Sequence, residues 1–242
     1  MIYNFAILCY KDHPWSKIVV NNLIENNYIP SIIIEENSPS GNKKLEFYKR
    51  LLIDSKVKFD HLDNLKNISN QHQIKYLEVS NHNNQDTFNF LNKNNNLDLI
   101  ILANTRIIKP FIYQIAKIGA FNCHPDKLPG YRGSVVFLIK ILEDLPLGVT
   151  CHWVNEIVDT GSIAYYNDVN YELGDTLGDL VLKIILTSSN LLKQLLSNQK
   201  IPKIEQNIID TPCFKFPNDN IIEECRTKLD LKKKQSNYNI NG

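Results

Sequence analysis

Leu97-Asp98-Leu99-Ile100-Ile101-Leu102-Ala103 is the stretch on which the fold turns. It is apolar almost throughout and strand-sized, and it lacks the alternation of a sheet with one face in water. A run of this kind reads as a parallel strand covered by helices on both faces. The segments around it repeat the theme. Upstream, Ile74 to Val79 alternates like a strand, and a polar helix is predicted from about Asn84 to Lys93. Downstream, a helical piece at Phe111 to Lys117 precedes a strand at Ala120 to His124.

Nearer the N-terminus, Tyr3 to Tyr10 reads as a buried strand, and Ile18, Val19, Leu23 and Ile24 mark one face of a helix. Pro30 to Ile34 is β-branched and reads as the next strand. Glu35 to about Ile74 is hard to interpret: a turn is predicted at Pro39 to Gly41 and a helix from Lys44 to Ile53. In the second half the pattern gives a helix over Ser134 to Leu142, then strands Gly148 to Val154 and Ser162 to Asn170 joined by a turn. A long amphipathic helix follows from about Thr176 to Leu196, ended by Pro202. Strand-helix alternation of this kind predicts an α/β fold, a doubly wound and mostly parallel sheet.

The composition narrows the function. With 27 Lys+Arg against 26 Asp+Glu, the net charge of +1 lacks the field of a dedicated nucleic-acid binder. No apolar run approaches the roughly 18 residues of a membrane span, and the N-terminus has no signal-peptide pattern, so a cytoplasmic protein with no membrane association is expected. Five widely spaced cysteines without a C-x-x-C pair suggest neither disulfides nor a metal site. Cys123-His124 and Cys151-His152 are neighbours on strands, so their side chains face opposite ways and cannot easily cooperate. The asparagine-rich runs, such as Asn81 to Asn84 and Asn94 to Asn96, sit between periodic segments and read as loops and helix ends.

Chemistry concentrates in two segments. The first is Gly119-Ala120-Phe121-Asn122-Cys123-His124-Pro125, followed by Asp126-Lys127-Leu128-Pro129-Gly130-Tyr131-Arg132-Gly133. In open parallel sheets ligands bind beyond the carboxyl ends of the strands. Asn122 and His124 fall at such an end, on one face by the two-residue period. Pro125 holds His124 extended, and the proline- and glycine-rich loop behind it is stiff. The second segment runs from Gly148-Val149-Thr150-Cys151-His152 to Val158-Asp159-Thr160-Gly161, where Asp159 can reach back to a histidine. An amide for an oxyanion, a histidine for a proton and a carboxylate for the imidazolium equip a site for acyl transfer without a covalent nucleophile. Taken singly, a histidine at a strand end or an Asp-Thr-Gly turn is ordinarily structural; the order and spacing of the set distinguish it.

Asn122-x-His124-Pro125 with Leu128-Pro129 and Tyr131-Arg132-Gly133, then Gly148-Val149-Thr150-x-His152 leading to Val158-Asp159-Thr160-Gly161, resembles the signature of the folate-dependent formyltransferases. The resemblance is specific over about residues 97 to 165. It implies a Rossmann-like core (residues 1–200), 10-formyltetrahydrofolate as co-substrate, no metal, and Asn122, His124 and Asp159 as the catalytic trio. It implies that the pterin lies against the loop Ala103 to Ile108, with Asn104, Arg106 and Ile107 as contacts, and against backbone around Ile157 and Val158. Asn104-x-Arg106-Ile107 is similar to members that formylate amino sugars.

Branches of that family differ in features visible here. Members acting on glycinamide ribonucleotide have a glycine-rich phosphate loop after the first strand, where this chain reads Cys9-Tyr10-Lys11-Asp12-His13-Pro14-Trp15-Ser16. Methionyl-tRNA formyltransferases carry a further basic C-terminal domain, and formyltetrahydrofolate hydrolases an N-terminal regulatory one; the sequence is expected to hold neither. What remains resembles the nucleotide-sugar N-formyltransferases of lipopolysaccharide O-antigen synthesis. That implies a dTDP- or GDP-linked amino-dideoxyhexose, 4-amino or its 3-amino isomer, as partner and substrate. It also implies a small β-rich appendage (residues 201–231) that in relatives often helps form a homodimer, here followed by a disordered tail (residues 232–242). Lys11, His13, Trp15, Tyr131 and Arg132 are the candidate substrate contacts. A hydrolase, a transferase acting on another small amine, and a non-catalytic folate or nucleotide-sugar binding protein remain the alternatives.

Overall fold

The computed structural model describes residues 3–59, 61–94, 96–207 and 212–240. The first half alternates strand and helix: β1 (Phe5–Tyr10), α1 (Pro14–Glu25), β2 (Ile32–Glu36), α2 (Pro39–Leu52), α3 (Leu65–Gln71), β3 (Lys75–Val79), α4 (Gln85–Lys93), β4 (Leu99–Ala103), α5 (Pro110–Tyr113) and β5 (Gly119–His124). The second half adds β6 (Arg132–Gly133), α6 (Val136–Leu142), β7 (Leu147–Trp153), β8 (Ile163–Val169), α7 (Leu177–Ser197), β9 (Cys213–Phe214) and α8 (Asn220–Ile240).

Seven strands form one sheet in the order β3-β2-β1-β4-β5-β7-β8. The first five are parallel; β7 and β8 run antiparallel at the far edge. The order reverses between β1 and β4, so their carboxyl ends open the crevice in which doubly wound sheets bind ligands. β1, β2 and β4 are buried along their whole length, as strands covered on both faces must be. Two apolar clusters, one on each side of the sheet, make the core.

Asparagines close the helices as the sequence suggested. The side chains of Asn64 and Asn84 accept from the Asn67 and Thr87 amides at the starts of α3 and α4, and Asn26, Asn94 and Asn198 sit at helix C-caps. α7 starts with a Thr176–Asp179 capping box. By length and composition α7 could cross a membrane, which a search for unbroken apolar runs does not reveal. Leu180, Val181, Ile184, Ile185, Leu191, Leu195 and Leu196 are instead buried in the core against β7 and β8.

Three local expectations change. Pro39 to Gly41 opens α2 instead of forming a free turn: Ser38 accepts from the Gly41 amide at 3.3 Å and Pro39 takes the first helical position, where its missing N–H costs nothing. α7 ends at Ser197, within a residue of the expected end, but Asn198 takes the C-cap position and Pro202 lies beyond it. The C-terminal segment is not β-rich. Among the described residues its strand structure is the two-residue β9, paired parallel with β6, and a bridge from Ile204 to Ile163. Its main element is α8, which continues to Ile240 through most of the stretch expected as a disordered tail, the last two residues lying outside the described ones. Ile222, Cys225 and Leu229 recur at helical spacing, and α8 packs with them against α6. Lys228 and Lys232 both pair with Asp144, at the C-terminal end of α6.

Candidate active site

A cleft of about 460 Å3 opens at the carboxyl ends of β1, β4 and β5. Asn122, His124, His152 and Asp159 all line it. Antiparallel pairing of β5 with β7 sets His152 opposite Asn122 and Thr150 opposite His124, so Asn122, His124 and His152 share a face. Thr150 fixes the loop beyond His124: its hydroxyl donates to the Asp126 carbonyl at 2.6 Å and accepts from the Leu128 amide at 3.1 Å.

Asp159 arrives from the turn between β7 and β8. Its Oδ2 lies 3.3 Å from His124 Nδ1 and its Oδ1 3.5 Å from His152 Nε2, and the Gly133 amide donates to Oδ2 at 2.9 Å. Two glycines permit this approach. A Cβ on Gly161 would stand 1.8 Å from the Trp153 carbonyl oxygen, and Gly133, at φ +100°, lies against the Phe214 backbone. Asp159 itself has φ 57°, and Asn104 and Val135, also on the cleft, have φ 63° and 46°. A β-branched residue such as Val135 adopts that region only under constraint, and such strain gathers at functional sites.

The hydrogen bonds fix the imidazole tautomers. The Tyr131 carbonyl, 2.7 Å from His124 Nε2, can only accept, so Nε2 carries a hydrogen and Nδ1 faces the Asp159 carboxylate. Likewise the Trp153 carbonyl, 2.8 Å from His152 Nδ1, leaves His152 Nε2 as a lone pair that accepts from Asn122 Nδ2 at 3.3 Å. Burial pushes the His124 pKa down, opposed by Asp159. Burial would raise that of Asp159, but His124, His152 and the Gly133 amide hold it well below the usual carboxylate range. The cluster is thus an ionised carboxylate between two imidazoles, each with one nitrogen ready to take a proton.

The expected pterin contacts line the same cleft: Asn104, Arg106, Ile107, Ile157 and Val158. Ile107 and Ile157 are 69% and 64% exposed at its mouth, large apolar groups left in water. Arg106 is committed elsewhere, with Nε 2.7 Å from Glu36 Oε2 and both Nε and Nη2 donating to Oε1. Burial would raise the Glu36 pKa, but bonds from His82, Arg106 and Ser38 hold it at about 2. Arg106 therefore pins the 104–108 loop to β2.

Of the expected substrate contacts only Trp15 lines the cleft. Lys11 is drawn aside to Glu78, 2.7 Å away. His13 is fully buried, its Nδ1 capping α1 through the Trp15 amide at 3.2 Å and its ring edge-on to Tyr48. The Tyr131 hydroxyl turns out to Glu143, leaving the site only its carbonyl, and Arg132 donates to the Val158 carbonyl at 3.3 Å. Residues not expected there also line it, among them Lys44 and Tyr48 of α2 and the stretch from Phe214 of β9 to Phe216. His152 was also unassigned a role. Its signal was its place beside Thr150 in the second motif, legible only once β5 and β7 are known to pair antiparallel.

A Rossmann-like sheet with an Asn-His-Asp cluster at the carboxyl end of its central strands defines a site for polar group transfer. Residues 17–196 match the family described as formyl transferase, and the chain belongs to that family. It is similar to the methionyl-tRNA formyltransferase of Chlorobium limicola, 34% identical over 100 residues, or 41% of this chain and 31% of that protein. The match thus spans about a third of that relative's length. Among solved structures it is similar to the formyltransferase PseJ from Anoxybacillus kamchatkensis, in complex with UDP-4,6-dideoxy-4-formamido-L-AltNAc and tetrahydrofolate. That likeness has TM-score 0.51 and 25% identity, covering 68% of this chain and 93% of that one. A sugar N-formyltransferase from Shewanella shares the fold more completely, with TM-score 0.63 and 14% identity over 95% of this chain and 88% of that one.

Proposed function

We propose that the protein transfers the formyl group of 10-formyltetrahydrofolate to the amino group of a nucleotide-linked amino-dideoxyhexose. The observation that carries this reading is the Asn122, His124, His152 and Asp159 cluster at the floor of the cleft. The apolar lips Ile107 and Ile157, with the backbone of residues 104–108 pinned through Arg106, suit a flat heterocycle. The folate would supply an activated formyl group.

Asn122 has a second Nδ2 hydrogen beyond the one given to His152, and it donates to the negative charge that develops on the formyl oxygen. His124 makes no direct bond to that oxygen, because both its nitrogens already face protein groups; a proton taken on Nδ1, beside Asp159, would set its charge next to the developing oxyanion. Asp159 with His152 Nε2 takes the proton that the attacking amine loses; overall one proton passes from that amine to the leaving nitrogen of the folate. An N-formyl sugar and tetrahydrofolate result. Support for a sugar over glycinamide ribonucleotide comes from α1, whose start is filled by His13 where a phosphate loop would stand. A net charge of +1 disfavours tRNA.

The test is formyl transfer to dTDP-, GDP- and UDP-linked 3- and 4-amino-dideoxyhexoses, followed by mass spectrometry and tetrahydrofolate release. Asn122→Ala should lower kcat by on the order of a hundredfold. Folate binding without transfer to any of these sugars would overturn the reading.

A further inference from the structure

In a doubly wound fold the start of the helix after β1 is the ready-made anion site. Here it is shut. Pro14 has no N–H, the Trp15 amide is bonded to His13 Nδ1, and His13 is buried beneath Tyr48. An anionic group entering the cleft must therefore find its charge partner elsewhere. Among the described residues, three lysine or arginine side chains line the cleft: Lys44, Arg106 and Lys215. Arg106 is neutralised by Glu36. Lys215 is exposed at the rim.

Lys44 is different. It is half-buried, and among the described residues it makes no ion pair. Its ammonium donates to the Thr105 carbonyl at 3.2 Å and lies 4.9 Å from the centre of the Tyr10 ring. An ammonium has three hydrogens to give, so this one holds donors in reserve inside the cleft. Burial pushes its pKa down, opposed in part by the charge of Glu36, and an arriving anion would add to that opposition. Trp15, Tyr48, Phe214 and Phe216 line the same cleft, and Phe216 stands edge-on to Phe47 of α2, at 4.7 Å, on the strap that β9 anchors to β6.

We infer that Lys44 is the diphosphate contact for the nucleoside-diphosphate portion of the substrate, replacing the anion site that His13 closes. This rests on the nucleotide-sugar reading above. The shared chemistry, an anion on a half-buried ammonium, could also come from the glutamate carboxylates of the folate, and the two sources are separable. Isothermal titration of wild type and Lys44→Gln with dTDP, GDP and UDP forms one arm, and titration with 5-formyltetrahydrofolate the other. Thermal melting and Lys44→Arg control for folding and charge.

Lys44→Gln is expected to weaken nucleoside-diphosphate binding by about 10- to 100-fold, the scale of a lost charge-assisted bond. Folate binding should stay within threefold of wild type, and Lys44→Arg should restore most nucleotide affinity. Unchanged nucleotide affinity in Lys44→Gln, or a loss confined to folate, would overturn the inference. Nucleotide binding through Lys44 without formyl transfer to any sugar would uphold this anion site while sinking the proposed reaction. Transfer with an unaltered sugar KM in Lys44→Gln would do the reverse.

Discussion

Replacing Asp159 with asparagine isolates the charge at the centre of the cluster. The change is nearly isosteric, and asparagine is among the few residues at ease at φ 57°. Its carbonyl oxygen can still accept from the Gly133 amide, which bonds Asp159 at 2.9 Å, so the turn should hold. What disappears is the attraction to a protonated imidazole. At the 3.3 Å between Asp159 Oδ2 and His124 Nδ1, that attraction is about 5 kcal/mol at an effective dielectric constant of 20. Reorganisation of the emptied site recovers part of it, so Asp159→Asn should lower kcat by roughly 10²- to 10⁴-fold. The assay is steady-state release of tetrahydrofolate, with a melting curve beside it. A second readout separates a charge role from a structural one. Asp159 opposes the effect of burial on His124, so in Asp159→Asn any inflection due to His124 in the pH–rate profile should move to lower pH. A folded Asp159→Asn enzyme with kcat within fivefold of wild type and an unshifted profile would refute the reasoning.

Two further outcomes follow from the same coordinates. Gly161→Ala drives a methyl group to 1.8 Å from the Trp153 carbonyl oxygen; relief requires moving the turn that carries Asp159. We expect a loss of about 2–4 kcal/mol, seen as a melting temperature lower by roughly 10 °C, together with lost turnover, and wild-type melting would contradict it. Acid stability should reflect His13, whose pKa burial, with the charge of Lys44, lowers from 6.5 to about 3. The unfolded chain binds this proton first, so stability is full above pH 6.5 and falls as pH drops toward 3, by about 5 kcal/mol from this residue. Urea titrations at pH 7 and pH 4 should show His13→Gln losing less stability between them than wild type does; equal losses would refute the assignment.

The strands were legible because burial on both faces leaves a local mark: Leu99 to Ala103 and Phe5 to Tyr10 are apolar whatever surrounds them. α8 was not, since only Ile222, Cys225 and Leu229 need be apolar to dock it on α6, and the lysines after them read as a tail. At the site, Asn122 and His124 could be placed from period two and Pro125 alone. His152 needed the β5–β7 register, a non-local fact.

The substrate side shows most plainly where local reading ends. Lys11 and His13 follow β1 and do stand at the carboxyl end of the sheet, but position along the chain does not say which way a side chain turns once the strand has ended. That depends on what is packed against the turn. Here it is α2, from the stretch least interpretable as sequence, which lays Tyr48 over His13 and projects Lys44 into the cleft. Glu78 of β3, two strands away, takes Lys11. A residue can therefore be assigned to an end of the sheet from its sequence, but to the cleft only through the partner that covers or uncovers it. For this chain that partner exchanges an anion site made of backbone amides for one made of a lysine.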